Sequence, residues 1–99
     1  MSGFTFSHEA ESDLRGIWDY ISARDEDAAL RLKVAILDAC DMLAENPGLG
    51  HFRRDLTSLA IRFYAVKKTY LIVYDPETKP IMIARVLHGA RDAADILRV

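Results

Sequence analysis

The sequence predicts a two-layer α+β domain with the element order β-α-α-β-β-β-α, in which a helical hairpin packs on a mainly antiparallel sheet. Apolar residues recur at helical spacing through the first half of the chain, and three strand-like apolar segments joined by short turns fill the second half. Helices grouped on one face of an antiparallel sheet bury the apolar surface of both layers. With 99 residues, 51% of them hydrophobic, the chain fits one globular domain over residues 1–99.

The first half begins with a short strand and continues as two helices. Phe4–Phe6 is the strand candidate, and Ser7 after it carries a hydroxyl suited to a helix N-cap. The first helix is predicted to run to about Arg24, and Asp25 supplies the N-cap of the second. Asn46-Pro47-Gly48 ends the second helix because proline disfavours a helical conformation in the residue before it. The expected core residues are Ala10, Leu14, Ile17, Trp18 and Ile21 in the first helix and Leu32, Ala35, Ile36, Ala39, Cys40 and Leu43 in the second.

The second half is predicted to be a meander of three antiparallel strands. The first strand alternates between its faces, with Ile61, Phe63 and Ala65 on one side and Arg62 and Tyr64 on the other. The second strand is apolar throughout, as expected for a strand that is covered on both faces. The strands are expected at residues 59–66, 70–74 and 81–88, with turns at residues 67–69 and 76–80.

The two chain ends and the second sheet face complete the predicted fold. The N-terminal strand must pair with the meander, and we place it inside the sheet. Asp92 is expected to cap a short C-terminal helix over residues 93–97. Because both long helices lie on one side, the opposite sheet face is expected to be thinly covered, and a partly apolar face of this kind usually marks a partner interface.

Composition limits the classes of function. The net charge is -2, divided into -6 for residues 1–50 and +4 for residues 51–99, which is too weak a basic bias to suggest direct, specific DNA binding. Cys40 lies in an apolar helical stretch and is expected to be a core residue. Because a single cysteine cannot form an internal disulfide and the N-terminal residues lack a signal-peptide pattern, a reducing, cytoplasmic location is expected. We expect no membrane span, no metal and no cofactor, because neither a long apolar run nor a metal-ligand spacing occurs.

A series of short motifs runs in order through nearly the whole chain. They are Phe6-Ser7, Ala10, Asp13-Leu14, Ile17-Trp18, Tyr20-Ile21, Ala29, Arg31, Leu43, Asn46-Pro47-Gly48-Leu49-Gly50, Arg53-x-Asp55-Leu56, Arg62, Tyr70-x-Ile72-x-Tyr74 and Arg85-Val86-Leu87-His88-Gly89-Ala90-Arg91-Asp92. In this order and spacing the chain resembles the RelE/ParE superfamily of bacterial type II toxin–antitoxin modules. It is most similar to the ParE branch, which includes plasmid stabilisation proteins. The element order inferred above agrees with the fold that this resemblance implies.

The resemblance implies a growth-inhibiting toxin that forms a hetero-oligomer with a cognate ParD-like antitoxin. ParE-like toxins poison DNA gyrase, whereas RelE-like toxins cut messenger RNA on the ribosome. RNA cleavage without a metal needs an acid, a base and cations at the phosphate. Where RelE-like nucleases often carry such groups, this chain has Leu71, Gly89, and Ala93 or Ala94. Gyrase is therefore the expected target, with ribosome-dependent mRNA cleavage as the alternative and an inactive toxin as a third possibility.

The residues expected to contact a target or antitoxin are Arg53, Asp55, Arg62, Tyr70, Tyr74, Arg85, His88, Arg91 and Asp92. None is catalytic if gyrase is the target, whereas on the ribonuclease alternative His88 transfers a proton and Arg62 and Arg91 bind phosphate.

Structural roles are open for several of the same residues. Arg62 is a candidate for an ion pair with Asp55 or another acid, and His88 for a backbone hydrogen bond at a strand end. Arg53 with Asp55 would order the loop, Arg91-Asp92 would cap a helix, and Tyr70 and Tyr74 would lie in the core or an interface. The antitoxin is expected to cover the apolar sheet face and the groove beside the helical hairpin with a tail that folds on binding.

Overall fold

The computed structural model describes residues 3–96, apart from the side chains of residues 90, 91 and 94. Within that range it contains the seven elements of the predicted order and a short 3-10 turn at Pro47–Leu49. The elements are β1 (Phe4–Phe6), α1 (His8–Ser22), α2 (Glu26–Glu45), β2 (Arg62–Val66), β3 (Tyr70–Asp75), β4 (Ile81–His88) and α3 (Gly89–Ile96).

The ends of the two long helices follow the capping residues in the sequence. The Ser7 hydroxyl accepts a hydrogen bond from the Ala10 backbone N–H at 3.0 Å, and Asp25 accepts one from Ala28 N–H, also at 3.0 Å. Each cap satisfies an amide that has no partner inside its helix. Asn46 ends α2 immediately before the proline. The predicted N-caps and the predicted end of the second helix are therefore confirmed.

The sheet has the strand order β1-β4-β3-β2 within residues 3–96. The meander is antiparallel as predicted, but β1 lies at the edge and pairs in parallel with β4, with Phe4 opposite Ile81. The expectation that β1 lies inside the sheet is wrong. The short turn between β3 and β4 makes them neighbours on one edge of β4, and β1 pairs with the other edge, where the Ser7 N–H at the start of α1 also donates to the Ile83 carbonyl.

Two apolar clusters lie on opposite faces of the sheet. The cluster beneath α1 and α2 includes Ile36, Cys40 and Leu43, which are nearly or fully inaccessible to solvent. This confirms the predicted core face of α2 and the buried position of Cys40. Trp18 differs from the prediction, because its side chain is 37% exposed at the cleft between α1 and α2.

The second face of the sheet is covered by the chain itself. Phe63 and Val73 are 2% and 0% exposed, and Leu56, Ile61 and Ala93 pack against them from the α2–β2 loop and α3. The predicted thin cover is therefore wrong. Residues 59–61, which we predicted as the start of the strand, instead belong to the α2–β2 loop. The loop is therefore longer than predicted, and its residues Leu56 and Ile61 pack on the sheet.

The C-terminal helix starts earlier than predicted. It begins at Gly89, directly after β4, and Asp92 lies in its first turn instead of capping it. Gly89 has a φ of +80°, which a glycine adopts without the cost that a Cβ would impose, so the chain changes direction within one residue. Residue 97, where we predicted the helix to end, lies outside the described residues. Among residues 3–96, no helix has both the length and the apolar character needed to cross a membrane.

Candidate functional site

The predicted site residues lie at two opposite ends of β3. His88 pairs with Tyr70 across the β3–β4 ladder, whereas Arg62 pairs with Tyr74 across the β2–β3 ladder. Four residues along a strand span about 13 Å. The structure therefore does not bring His88 and Arg62 together.

An open groove lies between α1 and the end of the sheet where β4 meets α3. It has a volume of about 520 Å³ and includes Ile17 and Tyr20 from α1, Tyr70 and His88 from the strands, and Ile96 from α3. The His88 and Tyr70 rings meet edge to face, with centroids 5.2 Å apart. His88 is exposed, so an imidazole and two phenols face an accessible, mainly apolar surface.

The phenol of Tyr70 holds its proton more firmly in this groove than it would in water. Burial, with a smaller contribution from the neighbouring Tyr20, raises the pKa of Tyr70 above its ordinary value. The phenol is therefore neutral near pH 7 and offers a hydrogen-bond donor and an aromatic edge to a bound molecule.

Asp13 holds α1 onto an irregularity in β4. Ala84 is an extra residue in β4, since Val73 pairs with Arg85 while the next residue of β3 pairs with Ile83. Asp13 accepts hydrogen bonds from Arg85 Nε at 2.8 Å, from Arg85 Nη2 at 2.9 Å and from the Val86 backbone N–H at 3.0 Å. Because the carboxylate is hydrogen-bonded to the guanidinium, the pKa of Arg85 is raised further above its already high value. Arg85 is thus occupied by an internal partner.

Ser7 satisfies the other side of the same bulge. Its backbone N–H donates to the Ile83 carbonyl at 3.0 Å, and its hydroxyl donates to the Ala84 carbonyl at 2.7 Å. Ser7 at the start of α1 and Asp13 near its middle are therefore both hydrogen-bonded to β4. These contacts fix the position of α1, which forms one wall of the groove.

At the other end of β3, Tyr74 and Arg62 hold the loop after α2. The buried Tyr74 hydroxyl donates to the Pro47 carbonyl at 2.6 Å and accepts from the Gly50 N–H at 2.8 Å. Arg62 Nη1 donates to the Gly50 carbonyl at 2.6 Å. Burial raises the pKa of Tyr74, so the phenol remains neutral and keeps both contacts. Tyr74 is a core residue here, as one of the structural alternatives proposed.

Arg53 and Asp55 pair with each other in the same loop. Arg53 Nε and Nη2 donate to Asp55 Oδ1 and Oδ2 at 2.9 and 2.8 Å. The hydrogen bond lowers the pKa of Asp55 and raises that of Arg53. Arg62 therefore does not form the ion pair with Asp55 that we considered, because Arg53 occupies that carboxylate and the Gly50 carbonyl binds Arg62.

The described residues of the groove do not assemble a set of groups for cutting RNA. His88 is present, but Arg85 is bound to Asp13 and Arg62 lies at the far end of β3. Asp92 lines the groove and adds negative charge. The side chain of Arg91 lies outside the described part of the chain. In the described residues, no group of His, Cys, Asp and Glu is arranged to hold a metal.

Asp13, Tyr20 and Gly50 were named in the sequence only as parts of motifs and were not predicted as site residues. Asp13 had one usable signal, since it directly precedes Leu14 on the border of the apolar face of α1. A carboxylate there has to find a partner as the helix docks. Gly50 had none, because its need for space arises from the Tyr74 hydroxyl, which would lie 2.5 Å from an added Cβ.

Comparison with known proteins gives the family. Residues 4–93 match the family model described as the ParE toxin of the type II toxin–antitoxin system parDE. The chain belongs to the ParE toxin family. Its membership makes it a type II toxin and confirms the branch that the sequence motifs indicated.

A solved structure supports the fold of this ParE-family toxin. The chain is similar to a protein from the chromosomal ParDE TA system of P. aeruginosa, with a TM-score of 0.70 and 20% identity over 89% of this chain and 96% of that one. The predicted α+β fold is therefore confirmed. A comparison with curated proteins gave no match.

Proposed function

We propose that this ParE-family toxin arrests growth by binding DNA gyrase, and that a ParD-like antitoxin neutralises it. The choice of gyrase over RNA cleavage rests on the distance between His88 and Arg62, which lie at opposite ends of β3. Among the described side chains that line the groove with His88, none is a cation that could stabilise a transition state at phosphorus. The groove is therefore better suited to holding a protein surface than to cleaving RNA.

The groove itself is the proposed contact for gyrase. Tyr20 is 66% exposed and Ile96 is 45% exposed at its two sides, with Tyr70 and His88 between them. Aromatic side chains with one polar end dominate protein interfaces because they bury a large apolar area and still donate a hydrogen bond. The ion pair between Asp13 and Arg85 keeps this surface rigid before the partner arrives.

The proposed antitoxin surface lies on the helical hairpin. An apolar cleft of about 330 Å³ between α1 and α2 is bordered by Trp18. On α2, Leu30 and Val34 are 53% and 49% exposed and lie four residues apart on the same helix face. The second sheet face, which we first expected the antitoxin to cover, is already buried by the chain itself. A tail that folds onto the hairpin would cover these residues.

The first experiment compares two modes of toxicity with one substitution. His88→Gln keeps hydrogen-bonding capacity but cannot transfer a proton near neutral pH. Because glutamine replaces one of several groove contacts, we expect the purified His88→Gln variant to retain inhibition of gyrase supercoiling, with some loss of affinity, and to arrest growth with intact transcripts. Absence of inhibition by a wild-type chain that still stops growth would refute the gyrase target. Cleaved transcripts with the wild type but not with His88→Gln would establish the ribonuclease alternative.

The second experiment tests the antitoxin surface. Val34→Asp places a charge on the proposed interface, and Leu59→Asp places the same charge on an exposed loop residue as a matched control. We expect Val34→Asp to remain toxic while rescue by the co-expressed antitoxin fails, and Leu59→Asp to be rescued normally. Full rescue of the Val34→Asp variant would exclude this surface.

A further inference from the structure

An exposed aromatic ring with two arginines beside it lies outside the groove, in the loop between α2 and β2. The Phe52 side chain is 43% exposed. The Cζ atoms of Arg62 and Arg54 lie 4.3 and 5.1 Å from the centroid of its ring. We call these three residues the Phe52 platform. They take no part in the toxin surfaces proposed above.

The backbone beneath the platform is fixed. His51 exchanges two hydrogen bonds with Phe63, from His51 N–H at 2.9 Å and from Phe63 N–H at 2.8 Å. The preceding Gly50 is held by the Tyr74 hydroxyl and by Arg62. An apolar side chain held at the surface by an ordered backbone loses little conformational freedom when a partner binds.

Both guanidinium groups of the platform retain free donors. Arg62 Nη1 donates to the Gly50 carbonyl, and Arg54 Nη1 makes a long contact of 3.4 Å with the Ser58 carbonyl. Within residues 3–96, neither arginine pairs with a carboxylate, because the nearby Asp55 is bound by Arg53. An arginine has five N–H donors in a planar fork that matches a carboxylate. The platform therefore presents two cations around one apolar ring.

We infer that the Phe52 platform is a docking surface for an acidic peptide segment of a protein partner. Carboxylates of the segment bind the forks of Arg54 and Arg62, and an aliphatic or aromatic side chain between them packs on Phe52. The platform belongs to residues 51–99, which carry +4, whereas residues 1–50 carry -6 and the whole chain -2. The positive charge that an acidic peptide needs is therefore confined to part of the chain. The net negative charge of the chain disfavours an extended polyanion such as nucleic acid more than a short peptide with few charges.

The platform and the groove are separate sites. Arg62 lies at the Tyr74 end of β3, and His88 lies at the Tyr70 end. A partner that occupies the platform leaves the groove open, so the inference holds whether or not gyrase is the target.

Fluorescence anisotropy with the full chain and a labelled peptide of alternating glutamate and leucine tests the inference. We expect saturable binding that weakens at high salt. Replacing glutamate by glutamine in the peptide should weaken binding by about tenfold or more, as expected when charge-assisted hydrogen bonds are lost. Phe52→Ala and Arg54→Gln should each weaken it by roughly fivefold, in line with the loss of one cation–π or ion-pair contact.

Matched variants and a second probe make the result decisive. Arg31→Gln removes the same charge from an exposed position on α2 and should leave peptide affinity unchanged. Arg54→Lys keeps the charge but not the fork and should give an intermediate affinity. Circular dichroism of each variant verifies folding. Equal binding of both peptides, or no effect of Phe52→Ala and Arg54→Gln, would overturn the inference. If oligothymidylate bound more tightly than the acidic peptide and its binding depended on the same residues, the inference would be wrong and the ligand of the platform would be single-stranded nucleic acid.

Discussion

Asp13 and Arg85 join the first helix to the last strand through a bidentate ion pair, and the same carboxylate accepts the Val86 N–H. Their side chains are 15% and 25% exposed, so solvent screens the pair only in part. The pair lies 72 residues apart in the sequence, and it forms only when α1 docks on the β4 bulge. It therefore links the stability of the fold to the shape of the groove.

Asp13→Ala should destabilise the protein by about 2–3 kcal/mol, because it leaves a partly buried guanidinium and the Val86 N–H without partners. Urea denaturation followed by circular dichroism measures the change in the free energy of unfolding. Asp55→Ala removes a carboxylate with the same bidentate geometry from a pair whose Asp55 side chain is 63% exposed, and it should change stability little. If Asp13→Ala lowered the free energy of unfolding as little as Asp55→Ala does, the contact of Asp13 with Arg85 and Val86 would not stabilise the packing of α1 on β4.

Local patterns in the sequence predicted most of the fold. Ser7, Asp25 and Asn46 set the helix boundaries through contacts within a few residues, so their roles could be read directly. The antiparallel meander followed from strand patterns and short turns. The edge position of β1 and the cover on the second sheet face could not be read in this way. Both depend on which surfaces meet after the loops close, and neither leaves a periodic signal in the chain.

The candidate site was predicted less well, for the same physical reason. The ribonuclease alternative requires His88 and Arg62 to act on one phosphate, but the strand register places them at opposite ends of β3. The partner of Arg85 lies on a helix in the distant first half of the chain. Family motifs identified the residues at the sheet ends, whereas pairing across the sheet determined which of them share a surface.

Tyr74→Phe should destabilise the protein by about 1–3 kcal/mol, since removal of the hydroxyl leaves the buried Gly50 N–H and the Pro47 carbonyl without their partner. Tyr64→Phe is the matched control, because Tyr64 is half-buried and no hydrogen bond of its hydroxyl is seen in the described residues. Thermal denaturation of both variants compares the two losses. Similar melting temperatures for Tyr74→Phe and the wild type would mean that the loop after α2 is held by Arg62 alone.

Burial raises the pKa of the Cys40 thiol from 9.0 to about 12, with a smaller contribution from Asp41. The unfolded chain loses this proton at a lower pH than the folded chain does. The contribution of the protonated thiol to the free energy of unfolding is therefore fully present below pH 9, and it should be lost as the pH rises from 9 towards 12. Cys40→Ala should cost about 1 kcal/mol at neutral pH through the small cavity it leaves, and it should flatten this alkaline decline. Denaturation midpoints at a series of alkaline pH values measure both slopes, and parallel slopes would contradict the assignment to Cys40.

The turn between β2 and β3 leaves room for a gain in stability. Lys67 and Lys68 have φ values of 53° and 62°, in the left-handed region that suits asparagine and glycine. The double substitution Lys67→Asn with Lys68→Gly should stabilise the protein by about 0.5–1 kcal/mol, because the backbone strain falls. Lys67→Gln with Lys68→Gln removes the same two charges but keeps ordinary side chains, so it separates charge repulsion from conformation. If both double variants gained equally in urea denaturation, the repulsion between the lysines would be the cause, and the left-handed backbone would carry no measurable strain.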